Sequence, residues 1–413
     1  MSATNAFVWL SGTVTIPVQA PTRWRSEGLA DFYRNPNDPE WGGSLCRVLY
    51  HESIHFWHLL SSAYLANALQ DEWLRLLEFE QTGYLRPASD LVSQMSERRS
   101  GEPFSPHELM ECWARYWDVH TRSPACTIEE DQIRVPEQVL LRIQQGQIQG
   151  YTSEAFDLFM QQGNDAELYA APYRWMLEQC DGHSAFANIA FPILVFHAFG
   201  SPDPVGLLRK SLERALKSDT IWQGVRGRSR NVNLDWLNNW AVFIGEAIEP
   251  ARRDLNMPGF TAGWDVISRG RLGAHPVYGP YLGRIRGLFK LASLGQAEPP
   301  KDKSPEAVYA YAVADLAARD PVVIFAFPGQ PEYRLALGEY VPPPRVRFDG
   351  LTLHADRTPG ASAVRKVAAL IGQPANEEDV TFKPVFEDFD SRIRRFRHAE
   401  YAVSVGLPPE TFS

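Results

Sequence analysis

At 413 residues the chain exceeds the size at which a single hydrophobic core stops growing, so two domains, or one large domain with an appendage, are expected. A hydrophobic share of 44% against 22% charged residues argues against a disordered or fibrous chain, and the net charge of −9 gives no footing for nucleic acid or an anionic membrane as partner. The four cysteines, Cys46, Cys112, Cys126 and Cys180, form no C-x-x-C pair, which disfavours a zinc ribbon or disulfide scaffold, and the lack of a long apolar run or a basic leader predicts a soluble, cytoplasmic protein.

Residues 6–18 alternate around Ser11-Gly12, the pattern of a short β-hairpin. A polar stretch with Pro36, Pro39 and Gly42-Gly43 leads into a helix expected over about residues 44–70. This helix carries His51-Glu52-Ser53-Ile54-His55, an H-E-x-x-H run. Four residues turn a helix by about 400°, so the two imidazoles share a face about one turn apart, where both can reach one ion at about 2.0–2.1 Å. Glu52 then lies beside that ion, placed to take a proton from a water whose pKa zinc lowers to about 7. Leu45, Val48, Leu49, Ile54, Phe56, Trp57, Leu59 and Leu60 make the helix apolar nearly all round and therefore buried. Burying two histidines and a glutamate is costly unless something pairs with them, which favours a metal over the plainer alternative of a core helix that happens to contain them. His58 extends the run, but it sits about 10 Å along the axis from His51, which suits packing or support better than ligation.

The next helix is announced by Ser105 as N-cap, Pro106 at the first helical position and Glu108 three after the cap, and should run to about His120. Glu108 is expected to reach back to the Ser105 amide. Glu111, in the following turn on the face with Ala114, Arg115 and Asp118, is free to point at another helix. Further helices are predicted near 137–146, 153–161, 166–198, 203–217 and 233–249. Between His275 and Gly283 the sequence HPVYGPYLG forms a rigid aromatic loop ahead of the helical stretch LGRIRGLFKLASL. Zinc hydrolases need a donor aimed at the developing oxyanion, and Tyr278, with His275 as companion, fits that need; an aromatic loop packed on the core fits the same residues equally well. Residues 297–306, AEPPKDKSPE, read as a linker, and Ser304-Pro305 opens a helix to about Arg319. Val322–Phe325 reads as a strand. The tail DFDSRIRRFRHAEYAV reads as a helix whose Arg392, Arg394, Arg395 and Arg397 form a solvated face or an ion-pair seam in preference to a phosphate site.

The segment Glu111-Cys112-Trp113-Ala114-Arg115-Tyr116-Trp117-Asp118 resembles the E-G-W-A-x-Y-x-E segment that supplies the glutamate ligand in several bacterial families of gluzincin-type zinc metallopeptidases. Glu111 matches the ligand, Ala114 the small residue one turn on, and Trp113 and Tyr116 the aromatic positions, whereas Cys112 replaces a glycine and Asp118 a glutamate. Asp118 could orient a ligating histidine. Similar H-P-x-Y and Y-x-x-G segments follow the third ligand in those families. Asp181, in a weaker echo of the pattern beside His183, and Glu246, in IGEAIE, are the rivals of Glu111 as third ligand. The elements read along the chain predict a mainly α chain with minor β (α+β), with a domain over 1–296, the linker 297–306 and a smaller mixed region over 307–413; the resemblance implies that the first is a zincin-like helical catalytic domain built on the HExxH helix. It also implies a zinc-dependent hydrolase acting on a peptide or small amide, with Zn2+ on His51, His55 and Glu111, Glu52 activating water, and Tyr278 or His275 supporting the oxyanion. Two histidines and a carboxylate equally describe a mono-iron oxygenase site, and Glu52-x-x-His55 is formally half of a di-iron pair that no second E-x-x-H completes. A non-catalytic, metal-stabilised binding protein is the third reading.

Overall fold

The computed structural model describes residues 6–20, 43–122, 160, 166–226, 241–279, 322–325, 333–336, 343–354 and 383–409. The helix expected at 137–146, that expected at 153–161 apart from Met160, the linker 297–306, and the helices expected at 282–294 and from Ser304-Pro305 lie outside these residues. The described chain is mostly helical with a four-stranded mixed sheet.

In chain order, strands β1 (Ala6–Val8) and β2 (Thr13–Gln19) form the expected hairpin around a 3-10 turn at Trp9–Ser11. Helices follow: α1 (Gly43–Ser61), α2 (Ala63–Thr82), α3 (Asp90–Ser96), α4 (Pro106–Arg122), α5 (Ala166–Gln179), α6 (Ser184–Phe199), α7 (Pro204–Lys217) and α8 (Asp219–Arg226). A π-helical turn at Ile244–Ile248 runs into α9 (Glu249–Asp254), and α10 (Gly263–Arg269) comes next. Strands β3 (Val322–Phe325), β4 (Tyr333–Ala336), β5 (Arg345–Asp349) and β6 (Leu351–His354) precede α11 (Lys383–Ser404). No helix among the described residues is long and apolar enough to cross a membrane.

Two compact units divide the chain: Met1–Trp57 with Leu69–Ala88 and Asp265–Ser413, and His58–Ala68 with Ser89–Trp264. The sheet of the first has the order β1-β2-β5-β6, so the N-terminal hairpin shares a sheet with strands expected to belong to a separate C-terminal region. β2 pairs with β5 in parallel, from Thr13 opposite Arg345 to Ile16 opposite Phe348. The register then slips before Gln19, next to Pro17, which has no N–H to give the ladder. β3 and β4 make a separate antiparallel ladder. Helix α11 lies along α2 through the arginines singled out in the sequence: Arg392 forks onto Glu80 at 2.6 and 2.7 Å, Arg397 reaches Glu72 at 2.5 Å, and Arg75 of α2 meets Glu400 at 2.9 Å. The cluster is an ion-pair seam, with Arg394 and Arg395 on the exposed side. Arg345 anchors the other end of the helix, bonding both oxygens of Asp390 at 2.9 and 2.6 Å with its guanidinium 3.9 Å over the Phe386 ring.

The second unit is built around α6, in which every residue from Ala190 to Phe199 is buried, leaving that stretch without a solvent-facing side. Each fully buried Phe, Ile, Leu or Val there contributes about 1.5–3 kcal/mol. The single helix expected over 166–198 is two, because Asp181 and Gly182 adopt left-handed φ values of 51° and 74° and reverse the chain. His183 then caps α6, its Nδ1 accepting from the Phe186 amide at 3.2 Å. α4 opens on the expected capping box: the Glu108 carboxylate accepts from the Ser105 amide at 2.7 Å, and the Ser105 hydroxyl accepts from the Glu108 amide at 3.2 Å.

Candidate metal centre

The HExxH helix ends at Ser61, where a longer helix was expected. Ser62 makes the break: its hydroxyl donates to the Phe199 carbonyl at 3.0 Å and accepts from the Leu65 amide at 3.1 Å, capping α2. Gly263 presses against the same joint so closely that a Cβ there would sit 2.1 Å from the Leu59 carbonyl oxygen, which only glycine permits. The joint holds the end of α1 while the body of the helix presents its histidines.

His51 and His55 face each other at 5.0 Å between ring centroids, at 86°. His55 and Glu52 are buried, and His51 is half-buried. One donor atom from each of His51, His55 and Glu111 lies within 4.8 Å of the other two. Two donors on one tetrahedral ion are about 3.3 Å apart, so these side chains close by at most about 1.5 Å to share an ion. A pair of imidazoles with one carboxylate is a set that suits zinc and leaves a position for water. Glu111 is also met by His107, one turn earlier on α4, with Nε2 3.5 Å from its Oε1. A donor to a ligating carboxylate fixes its orientation. The four-residue spacing of His107 and Glu111 carries that signal in the sequence, and reading from the sequence alone misses it.

The rivals of Glu111 stand elsewhere. Asp181 is exposed in the α5–α6 turn, and Glu246 is exposed on the π-helical turn. The side chain of Asp118 lies outside the described residues. His58, 3% exposed, stacks on Trp113.

Tyr278 and His275 are buried in the core of the first unit. The Tyr278 hydroxyl donates to the Trp9 carbonyl at 2.6 Å, so its one proton is committed to the hairpin turn. Burial, with the Glu72 charge adding, pushes that hydroxyl well above the usual tyrosine range. His275 Nδ1 accepts from the amides of Val277 and Tyr278 at 3.1 and 3.3 Å, and its Nε2 edge faces the Leu10 carbonyl without a well-aligned bond. Burial, only partly countered by the Leu10 carbonyl, pushes its pKa down to about 3, so the ring is neutral. Trp73 and Phe389 pack on the same ring at 4.5 and 5.0 Å. As placed, the Tyr278 hydroxyl and His275 Nδ1 are both taken by backbone groups, the packed-loop role that the sequence equally allowed. Gly12 makes the arrangement possible: at φ +61° it closes the turn 3.2 Å, measured from an added Cβ, from the Tyr278 oxygen.

Compared with protein families, curated proteins and solved structures, the chain finds no match in any of the three.

Proposed function

We propose that the chain is a zinc-dependent hydrolase of a peptide or small amide bond, zincin-like in its use of an HExxH helix and of gluzincin type in its third ligand. The observation that carries the proposal is the convergence of His51, His55 and Glu111 around a volume one ion can fill, with Glu52 buried in the turn between the two histidines. Zinc held there would polarise a carbonyl and lower the pKa of a coordinated water towards about 7. The chain's own part falls to Glu52, whose carboxylate takes a proton and returns it to the departing amine, and to Glu111, whose charge His107 steadies on one oxygen. The same three donors would suit a mono-iron site, but a buried acid between the histidines has a use in hydrolysis and none as a spectator of iron.

Metal analysis of the full chain purified without added metal is the deciding test, with about one zinc per chain expected. Replacing Glu111 with Ala should lower zinc affinity by about a hundredfold or more, since even residues that only support a ligand are worth 10–100-fold. Asp181→Ala and Glu246→Ala should leave the affinity unchanged. Iron in stoichiometric amount, or a well-folded chain without metal, overturns the hydrolase reading, and zinc retained at parent affinity by Glu111→Ala removes Glu111 from the ligand set.

A further inference from the structure

Two residues outside the donor set occupy an unusual arrangement. The His58 imidazole lies flat on the Trp113 indole, with ring centroids 3.6 Å apart and planes 7° from parallel. Trp113 also stacks on Phe199 at 5.3 Å and 10°, and Phe196 meets it edge-on at 6.4 Å. The Trp113 N–H is buried with no hydrogen-bond partner among the described residues, so ring faces, and not a polar bond, hold the indole. Phe199 in turn is the residue whose carbonyl receives the Ser62 hydroxyl, which ties the stack to the end of α1.

Helix geometry relates this stack to the ligands. On α1, His58 stands about 4.5 Å beyond His55 along the axis and within about 20° of His51 around it, so it continues the ligand face by one turn. On α4, Ala114 separates Glu111, about 60° to one side, from Trp113, about 100° to the other. Ala114 is fully buried and small, and it stands between these two neighbours on the surface of the helix. A roll of α4 caused by a change on its Trp113 side would carry Glu111 with it, because the two residues share one rigid helix.

We infer that the His58–Trp113–Phe199 stack sets Glu111 against the histidine pair, and that His58 and Trp113 are positioning residues for the metal; this rests on the reading of His51, His55 and Glu111 as ligands. The stack acts through Glu111 alone, so it has a signature that a general packing role lacks. Zinc affinity of the full chain, read by competition with a chromophoric chelator, should fall about 10–100-fold in Trp113→Leu. In a Glu111→Ala background the same substitution should change affinity by no more than about twofold, because the residue it positions is gone. His58→Phe keeps a flat ring and should stay near the parent affinity, whereas His58→Leu should lose affinity as Trp113→Leu does. Circular dichroism of the metal-free variants checks folding, and where Trp113→Leu does not fold, the two His58 variants decide alone. Equal losses with and without Glu111, or parent affinity in both leucine variants, overturns the inference while the metal site stands. His58→Phe losing as much as His58→Leu overturns it too, by making a ring nitrogen the active part. A parent chain without zinc affinity defeats the underlying site itself.

Discussion

Helix α1 and the loop from His275 to Tyr278 are both buried and both lined with aromatic rings, yet their polar atoms have opposite fates. Trp9 illustrates the contrast: its ring lies 6.4 Å from that of His55, and its carbonyl receives the Tyr278 hydroxyl. On α1 the histidine donors turn towards a carboxylate from another helix. In the loop, the Tyr278 hydroxyl and His275 Nδ1 turn towards backbone groups of the hairpin and of the loop itself. Burial of a histidine or tyrosine therefore says little about chemistry. What separates a candidate site from a packed core is whether its polar atoms converge on one another or turn to the main chain.

The sharpest way to break this comparison is to disable the first segment. Glu52→Gln should retain zinc and fold while hydrolysis falls at least about a hundredfold, the scale of a lost general base. Zinc loss in that variant would make Glu52 a ligand and return the site to the di-iron alternative. The second segment should respond to pH in stability and not in chemistry. His275 is held neutral down to about 3 by burial, against 6.5 when unfolded, so between these values the unfolded chain binds a proton that the folded chain refuses. Its contribution is present above pH 6.5 and is lost as pH falls towards 3, at up to about 1.4 kcal/mol per pH unit. Urea midpoints at about pH 7 and about pH 5 should therefore differ more in the parent than in His275→Asn, whose amide oxygen can still accept from the loop; equal differences would show that His275 is not the group concerned. The smallest effect is expected from Tyr278→Phe, which removes the bond to Trp9 at a cost of about 1–3 kcal/mol in stability for the orphaned carbonyl. Hydrolysis should continue at the parent rate, and a hundredfold loss would instead restore Tyr278 as an oxyanion donor.

Features set by neighbours in sequence were legible before the fold was known. Ser105, Pro106 and Glu108 lie within one helical turn, and their capping box forms as read. The H-E-x-x-H spacing places His51 and His55 on one face wherever that helix goes. The end of α1 could not be read, because Ser62 is an unremarkable helix residue until the Phe199 carbonyl, 137 positions away, takes its hydroxyl. Nor could the His58–Trp113 stack, since two rings announce no mutual spacing in a linear chain. The role of Tyr278 was open for the same reason: the loop sequence shows a tyrosine held rigidly, and only the hairpin turn 269 positions earlier shows what it is held against.

The parallel pairing of β2 with β5 also bears on how the protein is made. Thr13 finds its partner in Arg345, so nearly the whole chain must leave the ribosome before that ladder can close. Loop-closure entropy makes contacts of this span slow to form. The residues of the second unit are all translated by Trp264 and can begin packing early, whereas the hairpin waits with an unpaired edge on β2. His51 and His55 sit in the unit that is completed last. A messenger truncated before β5 would therefore yield a chain that carries the whole H-E-x-x-H sequence without the sheet that finishes its surroundings, and nascent chains of that length should depend on chaperones until the final strands arrive.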